Sequence, residues 1–242
     1  MAPDCAPALK IRGLGFAAGG VSVLSGVDLA VAEGEFLGII GPNGAGKTTF
    51  FNLVSGLMRP SAGSIALGGR DITRLSPASR ARLGLGRTFQ TSLLFGALPA
   101  AENVQLAAQA ARRGKRTHAL VDEAISAVGL GAVAYRLASA LSHGDRRKLE
   151  LAILMASGTR VLLLDEPMAG VNSADVMGLT SLIKNLHTDG RTVLMVEHHM
   201  SVVLGLAQRV AVLHHGELLA CGSPADVMAD DTVQDAYLGE PL

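Results

Sequence analysis

The feature that most constrains this chain is a short apolar segment that leads into a glycine-rich loop. Residues 35–40, Glu-Phe-Leu-Gly-Ile-Ile, have the composition of a buried strand. Residues 41–48, Gly-Pro-Asn-Gly-Ala-Gly-Lys-Thr, match the pattern G-x-x-x-x-G-K-[ST], and helical spacing continues from Lys47 to Leu57. A chain of this composition contains the pattern by chance roughly 0.008 times. We therefore interpret the segment as a strand, a functional loop and a helix, rather than as a turn with an incidental lysine.

A loop of this kind binds a polyphosphate mainly through its backbone. Successive N–H groups and the N-terminus of the following helix present positive potential to an anion. Glycines let the backbone approach the phosphates without a Cβ clash. Lys47 is expected to reach the β and γ phosphates, and the Thr48 hydroxyl to bind Mg²⁺. The predicted phosphate-binding residues are Gly41, Pro42, Asn43, Gly44, Ala45, Gly46, Lys47, Thr48 and Thr49.

Length and composition limit the class of protein. The 242 residues suffice for one large or two small domains, and 49% of them are apolar, which is enough for a substantial core. Lys plus Arg and Asp plus Glu both number 21, so the chain lacks the basic excess of nucleic-acid binders. Aromatic residues make up only 3%, too few for a base-stacking surface. We therefore expect no nucleic-acid partner.

The sequence also predicts a protein that is soluble or peripherally attached to a membrane. The longest stretch without Asp, Glu, Lys or Arg, Gly13–Val27, is shorter than a membrane-spanning helix requires. No apolar signal segment is visible near the first residues. The two cysteines, Cys5 and Cys221, form no metal-binding pattern, and we expect both to be reduced thiols.

The pattern along the chain predicts an α/β fold with a mostly parallel, helix-covered sheet. Buried strands are expected at residues 35–40, 161–164, 192–196 and 210–213, with segments between them that are long enough for helices. Leu9 to Val31 alternates like an antiparallel sheet with a turn at Gly19 and Gly20. Glu102 to Ser157 contains no convincing strand and is interpreted as a helical insertion.

Two carboxylates directly follow the predicted strand 161–164. The carboxyl end of a buried parallel strand is where open α/β sheets bind ligands. Asp165 is therefore expected to hold Mg²⁺, directly or through water, and Glu166 to polarise the attacking water. The alternative is that both residues only cap the strand end.

Together with four further elements, the loop and the carboxylates resemble the ATP-binding subunit of an ATP-binding-cassette (ABC) transporter. Gln90 ends the string Gly-Arg-Thr-Phe-Gln, which is similar to the family's Q-loop. Leu-Ser-His-Gly-Asp at 141–145 resembles the signature LSGGQ, Val171 and Asn172 fall at the D-loop, and His198 falls at the switch histidine. The resemblance covers essentially the whole chain, and the ordered set of motifs is highly specific.

The resemblance implies a P-loop NTPase fold in a single ABC domain that spans residues 1–242. Residues 1–90 and 158–242 would form the catalytic core with its N-terminal antiparallel β subdomain, and residues 91–157 the inserted helical subdomain. It implies ATP and Mg²⁺ as ligands, Mg²⁺ being held by Thr48, Gln90 and Asp165. It also implies catalytic roles for Glu166, His198 and Gln90.

A second ATP-binding subunit, in a homodimer or a heterodimer, is also implied, because in the family two subunits enclose two nucleotides head to tail. Ser142 and Gly144 would then donate hydrogen bonds to the γ-phosphate held by the partner. The alternative interpretation is that the same residues form an ordinary helix cap, with Ser142 and Asp145 as a capping box.

Three elements depart from the family pattern: the signature, the D-loop and the adenine-stacking position. His143 and Asp145 replace the first Gly and the Gln of the signature, and Asn172 stands where many members have an Asp. Ala18 occupies the position of the aromatic residue on which the adenine ring usually stacks, and Phe16 lies two residues before it. A non-catalytic regulatory cassette is the competing hypothesis that these departures leave open.

Within the family, the chain looks most like importers of branched-chain amino acids. The strings 86–90, 164–170 and 236–240 carry this resemblance. Importers of urea or short amides and lipopolysaccharide-type exporters are alternatives. The resemblance implies transmembrane permease subunits, indirectly a solute-binding protein, and a location at the cytoplasmic face of the cell membrane. Leu93, Leu94, Phe95 and Leu98 form an apolar strip that would receive a permease helix or pack within the helical insertion.

Overall fold

The larger of the two sheets positions the residues of the predicted site. The computed structural model describes residues 6–89, 93–111 and 117–238. The six strands of this sheet are β3 (Phe36–Ile40), β6 (Leu85–Arg87), β7 (Val161–Asp165), β8 (Thr192–Val196), β9 (Arg209–His214) and β10 (Glu217–Gly222). Their order is β10-β9-β3-β8-β7-β6, and every neighbouring pair is parallel except β10 with β9. The four predicted buried strands are confirmed as β3, β7, β8 and β9.

The smaller sheet is antiparallel and contains the N-terminal segment. Its strands are β1 (Leu9–Ala18), β2 (Val21–Val31), β4 (Ala62–Leu67) and β5 (Arg70–Asp71). They lie in the order β2-β1-β4-β5. The predicted turn at Gly19 and Gly20 joins β1 to β2, and both glycines have positive φ. The sequence did not predict β4 and β5, which lie between the first helix and β6.

Nine α-helices occur in the described ranges. They are α1 (Lys47–Ser55), α2 (Pro77–Arg82), α3 (Ala100–Ala111), α4 (Thr117–Ala127), α5 (His143–Ala156), α6 (Ser173–Thr188), α7 (Met200–Leu206), α8 (Pro224–Met228) and α9 (Asp231–Leu238). The first ends two residues before the predicted Leu57, because Gly56 adopts the left-handed conformation and its N–H donates to Leu53 O. None of these helices is long and apolar enough to cross a membrane.

Helices α3, α4 and α5 are consecutive in the chain and confirm that the described residues between 102 and 157 are mainly helical. They pack together on one face of the larger sheet, with Val104, Ile125 and Leu149 among their buried residues. Between α3 and the preceding loop, the Asn103 side chain accepts from Phe95 N and donates to Phe95 O. The exact domain boundaries stay a prediction.

The four inner strands of the larger sheet, β9, β3, β8 and β7, are buried on both faces, which explains why they are continuous apolar runs. Phe36 and Ile40 of β3 pack into one hydrophobic cluster with the helical region. Leu37 and Ile39 point to the other face and pack with α1 and the antiparallel sheet. Because both faces are covered, only the strand ends are open to a ligand.

Arg80 of α2 joins the end of α1 to the loop before α2. Its side chain is only 1% exposed. It donates to the carbonyl oxygens of Leu53 and Val54 at 2.6 Å, of Thr73 at 2.9 Å and of Leu75 at 3.1 Å. Burial lowers the pKa of this guanidinium below its ordinary value, and Asp71 acts in the opposite direction. Arg80 thus serves as a C-terminal cap for the helix that begins at Lys47.

Candidate functional site

The loop between β3 and α1 has a backbone that only glycine accommodates. Gly41, Gly44 and Gly46 have φ of 150°, 78° and 98°. A Cβ at Gly41 would lie 2.1 Å from Leu213 O, and one at Gly46 would lie 2.8 Å from Leu24 Cδ2. The glycines of the motif are therefore required by the loop's path as well as by any ligand.

The N-terminus of α1 carries no side-chain cap. Gly46 is the N-cap and supplies no side-chain hydrogen bond, and no acidic residue occurs in the first turn. The first bond of the helix runs from Phe50 N to Gly46 O, so the N–H groups of the first turn lie ahead of the helical hydrogen-bond pattern. These groups and the helix dipole favour an anion at this end.

Lys47 is held inside the same loop. The residue is buried, and its Nζ donates to Gly41 O at 2.5 Å and to Pro42 O at 2.9 Å. The ammonium group therefore lies on the concave side of the loop and adds a full positive charge next to the amides. This arrangement suits a polyphosphate, whose negative charge is distributed over several oxygens.

Asp165 ends β7 and is paired with an arginine that the sequence reasoning missed. Its Oδ2 accepts from Arg87 Nη2 at 2.7 Å, and both side chains are almost fully buried. Its backbone N–H donates to Thr88 Oγ1 at 3.1 Å. The signal for Arg87 was available, since it stands in the same string that carries Gln90. Gln90 itself lies outside the described residues.

Arg87 connects this carboxylate to α1. Its Nη1 donates to Asn52 Oδ1 at 2.7 Å and to Ser55 Oγ at 3.0 Å. The guanidinium also lies over the rings of Phe51 and Phe89, 5.7 and 5.1 Å from their centroids. The position of Asp165 is therefore coupled to the phosphate-loop helix and to the residue that precedes Gln90.

Glu166 and His198 form a direct contact across two neighbouring strands. His198 Nε2 lies 3.0 Å from Glu166 Oε1, and Glu166 N donates to Val196 O at 2.9 Å. Glu166 has φ of 46°, an uncommon conformation for a residue with a side chain. Since β3, β8 and β7 are adjacent and parallel, the loop, the histidine and both carboxylates follow their carboxyl ends at one edge.

Glu197 is a second residue that the sequence reasoning did not single out for a role. It is 3% exposed and lies between β8 and His198. Its Oε1 accepts from Met168 N, and its Oε2 accepts from His198 N. A glutamate next to the predicted switch histidine was visible in the sequence, but its buried partners were not.

The signature-like segment begins α5. Ser142 is the N-cap, and its Oγ accepts from Asp145 N at 3.1 Å. Asp145 Oδ1 lies 3.5 Å from Lys148 Nζ, so its charge is directed along the helix. The His143 ring lies against Gly170, and a Cβ at Gly144 would lie 3.2 Å from Asp175 Oδ2. Ser142 and His143 are exposed, as a surface for a second molecule requires.

One further residue of α5 joins this helix to the segment before Gln90. Arg147 is buried and donates through Nη1 to Phe89 O at 2.8 Å and to Glu150 Oε2 at 3.0 Å. The helix that starts at Ser142 therefore contacts the same short segment that Arg87 supports. Sequence reasoning gave Arg147 no role.

The structure also locates the other residues that depart from the family pattern, Ala18 and Asn172. Ala18 ends β1 and is exposed, whereas Phe16 is partly buried against the hydrophobic cluster below the antiparallel sheet. Asn172 is the N-cap residue of α6, without a side-chain hydrogen bond to the helix.

Comparison with known proteins gives the same family. A family model described as ABC transporter matches residues 24–169, and one described as branched-chain amino acid ATP-binding cassette transporter matches residues 217–241. The lipopolysaccharide export system ATP-binding protein LptB of Acidithiobacillus ferridurans is 39% identical, with 90% of this chain and 91% of that protein covered. The high-affinity branched-chain amino acid transport ATP-binding proteins BraF of Pseudomonas aeruginosa and LivG of Escherichia coli are 37% and 36% identical. Both cover 97% of this chain and 98% of their own length.

Solved structures agree. The nucleotide-free ATP-binding cassette of an ABC transporter superposes with a TM-score of 0.86 at 25% identity, over 97% of this chain and 100% of that chain. A dimeric cassette in a post-hydrolysis state, bound to ADP and Pi, superposes with a TM-score of 0.81 at 26% identity, over 89% and 98%. The predicted resemblance and the α/β fold are confirmed. The chain belongs to the ABC transporter family and is an ATP-binding, ATP-hydrolysing subunit, of the kind that works as a dimer with transmembrane permeases.

Proposed function

We propose that the chain powers an importer of branched-chain amino acids. The observation that carries this proposal is the match of residues 217–241 to the model for branched-chain amino acid cassettes, in addition to the cassette itself. The similarity to BraF and LivG over 97% of the chain supports it. The similarity to LptB favours a lipopolysaccharide exporter as the second candidate. The solute itself would contact the permease and, before it, a solute-binding protein.

In this function the triphosphate of ATP lies against the loop 41–48. The N–H groups at the start of α1 and the Lys47 ammonium face the β and γ phosphates, and Lys47 exchanges its loop carbonyls for phosphate oxygens. This exchange keeps the ammonium paired in both states. The glycine conformations described above keep the loop open to the phosphates.

The donor set at this edge also fits Mg²⁺, which prefers hydroxyl, carboxylate and water oxygens. Thr48 follows the loop lysine, and Asp165 lies at the end of β7 with Oδ2 already held by Arg87. Its Oδ1 is therefore the oxygen we assign to the metal shell, with Gln90 as the third predicted ligand. When bound, Mg²⁺ neutralises charge that develops on the phosphates.

Hydrolysis needs a base and a group that orients it. Glu166 accepts a proton from the attacking water, and its contact with His198 Nε2 holds the carboxylate in one orientation. His198 also contacts the γ-phosphate in the closed dimer. Most of the catalysis is then positioning and charge stabilisation, as in other phosphoryl transfers.

The exposed start of α5 is the surface that we assign to the nucleotide of a second subunit. Replacing Ser142 by arginine in a Glu166→Gln background is expected to abolish the dimer that forms with Mg-ATP, because the long side chain occupies the phosphate position. ATP binding by the monomer should stay within about 2-fold, since its own loop is intact. Size-exclusion chromatography with light scattering reads the dimer, and fluorescent-nucleotide titration reads the binding.

Ser76→Arg is the matched control, because Ser76 is also an exposed N-cap, on α2. It removes a comparable cap and adds the same charge, and it should leave the dimer intact. A Ser142→Arg protein that still dimerises with Mg-ATP would remove this surface from the nucleotide sandwich.

We assign permease docking to a surface that includes Phe89 and residues 93–95. A groove of about 460 Å³ lies beside Phe89 and has a mainly apolar lining that includes Leu57 and Ala107. Leu93 and Phe95 are 67% and 62% exposed, whereas Leu94 packs on the core. Such unpartnered apolar groups suit a short permease helix. This contact would keep the chain at the cytoplasmic face of the membrane.

Uptake by a reconstituted transporter tests the solute. The chain is co-expressed with its permease subunits, purified as a complex and placed in liposomes with ATP on the side of the cassette. ATP-dependent transport of radiolabelled leucine, saturable and competed by isoleucine and valine but not by urea, is expected. Extraction of lipopolysaccharide without leucine transport would favour the exporter instead.

A substitution at Phe95 tests the docking surface. Phe95→Asp should lose the complex with the permease subunits, while the isolated chain keeps its ATPase activity.

A further inference from the structure

Glu197 joins two segments of the site that are far apart in the sequence. Its Oε1 accepts from Met168 N at 2.7 Å, in the segment that follows Glu166. Its Oε2 accepts from His198 N at 3.0 Å and from the ring Nδ1 of His199 at 3.2 Å. One buried side chain thus holds the loop after β7 and the loop after β8 to each other.

These contacts lie next to Glu166 and His198, the pair to which the proposed function assigns the chemistry. Met168 lies two residues after Glu166, and His198 directly follows Glu197, so each bonded amide is close along the backbone to a reacting side chain. On the strand side, Glu166 N donates to Val196 O. Glu166 also has positive φ, a conformation that persists only when its surroundings hold it. The Glu197 carboxylate adds to that support by fixing Met168 N.

We infer that Glu197 is the positioning residue that sets the contact between the Glu166 carboxylate and the His198 imidazole. This inference rests on the proposed roles of Glu166 and His198. Glu197 itself is buried beneath the pair, with its carboxylate directed at the two backbone segments, so it acts through them and is not a catalytic residue. A charged acceptor with two oxygens is needed, because the donors come from opposite sides.

The isosteric change Glu197→Gln tests this role. An amide can accept from only one of the two segments, since its NH₂ end faces an N–H donor whichever way it is turned. We expect kcat for ATP hydrolysis to fall about 10–100-fold, because small displacements of reacting groups have effects of this size. KM for ATP should stay within about 2-fold, because the phosphate loop does not contact Glu197. A purely structural role would instead lower stability and both kinetic constants together.

A double-mutant cycle with His198→Ala tests whether Glu197 acts through His198. If Glu197 acts by placing His198 against Glu166, the Gln substitution should lower kcat by less than about 2-fold further once His198 is Ala. Multiplicative effects of the two changes would overturn the inference. His199→Ala is the control: it removes an exposed partner of the same carboxylate, keeps both backbone contacts and should leave kcat unchanged.

The outcomes separate this inference from the proposed function. If His198→Ala alone retains normal turnover, the catalytic role of His198 fails. If His198→Ala loses turnover but Glu197→Gln does not, only the positioning role fails. Should Glu197→Gln not fold, Glu197→Asp is used in the same cycle, since it keeps the charge but shortens the reach. Failure of both variants to fold would assign Glu197 to stability and overturn the inference.

Discussion

Replacing Glu166 by glutamine is expected to lower ATP turnover about 10²–10⁴-fold, the usual contribution of a general base. The amide is nearly isosteric and keeps an oxygen toward His198 Nε2, which now lies 3.0 Å from the carboxylate. It has no basic oxygen to take a proton from water. Mg-ATP affinity should therefore stay within about 2-fold of the unchanged protein, because the groups at the phosphate loop are untouched.

Two assays on the same preparation check this result: release of inorganic phosphate for turnover, and titration with a fluorescent ATP analogue for binding. Glu33→Gln is the control, because Glu33 is an exposed glutamate in the turn before β3. Unchanged turnover in the Glu166 variant would remove this residue from the role of base. Lost ATP binding would instead make it part of the binding site's architecture.

Replacing Arg80 by methionine is expected to lower the free energy of unfolding by about 3–5 kcal/mol. Methionine fills much of the same space but cannot donate. The carbonyl oxygens of Leu53 and Val54 would lose their guanidinium partner in a buried site, and those of Thr73 and Leu75 in a partly buried one. Each such oxygen costs free energy, and two of them belong to the last turn of α1.

Urea unfolding followed by circular dichroism measures this loss. Arg82→Met is the matched control, since Arg82 lies two residues later on the same helix, is exposed, and donates to the Ser79 hydroxyl at 3.3 Å. Its effect should be within about 0.5 kcal/mol. An Arg80 variant as stable as the Arg82 variant would show that the α1 carbonyls find other partners.

Much of the fold could be predicted because its signals are local. The strands at 36–40 and 192–196 are apolar runs, and the glycine-rich loop between β3 and α1 needs no distant residue to be recognised. Helix α5 begins at the predicted Ser142 cap for the same reason. The strands β4 and β5 were not predicted, because only two residues of β4, Ile65 and Leu67, are buried and β5 consists of two exposed residues.

The contacts inside the site were not predictable in the same way. Asp165 and Glu166 were identified as chemistry-bearing residues, but the partner of Asp165, Arg87, is 78 residues away, and that of Glu166, His198, is 32 away. From the sequence alone, an arginine such as Arg87 is equally compatible with an exposed position on the surface. Only the adjacency of β6, β7 and β8 shows that it is buried against the carboxylate.

The sequence by itself determined the family, the phosphate loop, the alternation of strands and helices, and which residue types carry the chemistry. These properties follow from short-range backbone preferences and from spacing, both of which can be read along the chain. Tertiary structure alone decided that Arg87 pairs with Asp165, that Arg80 caps α1 and that Glu197 joins the loops of Glu166 and His198. The physical reason is burial: a charged side chain leaves water only where strand order brings its partners within hydrogen-bond distance.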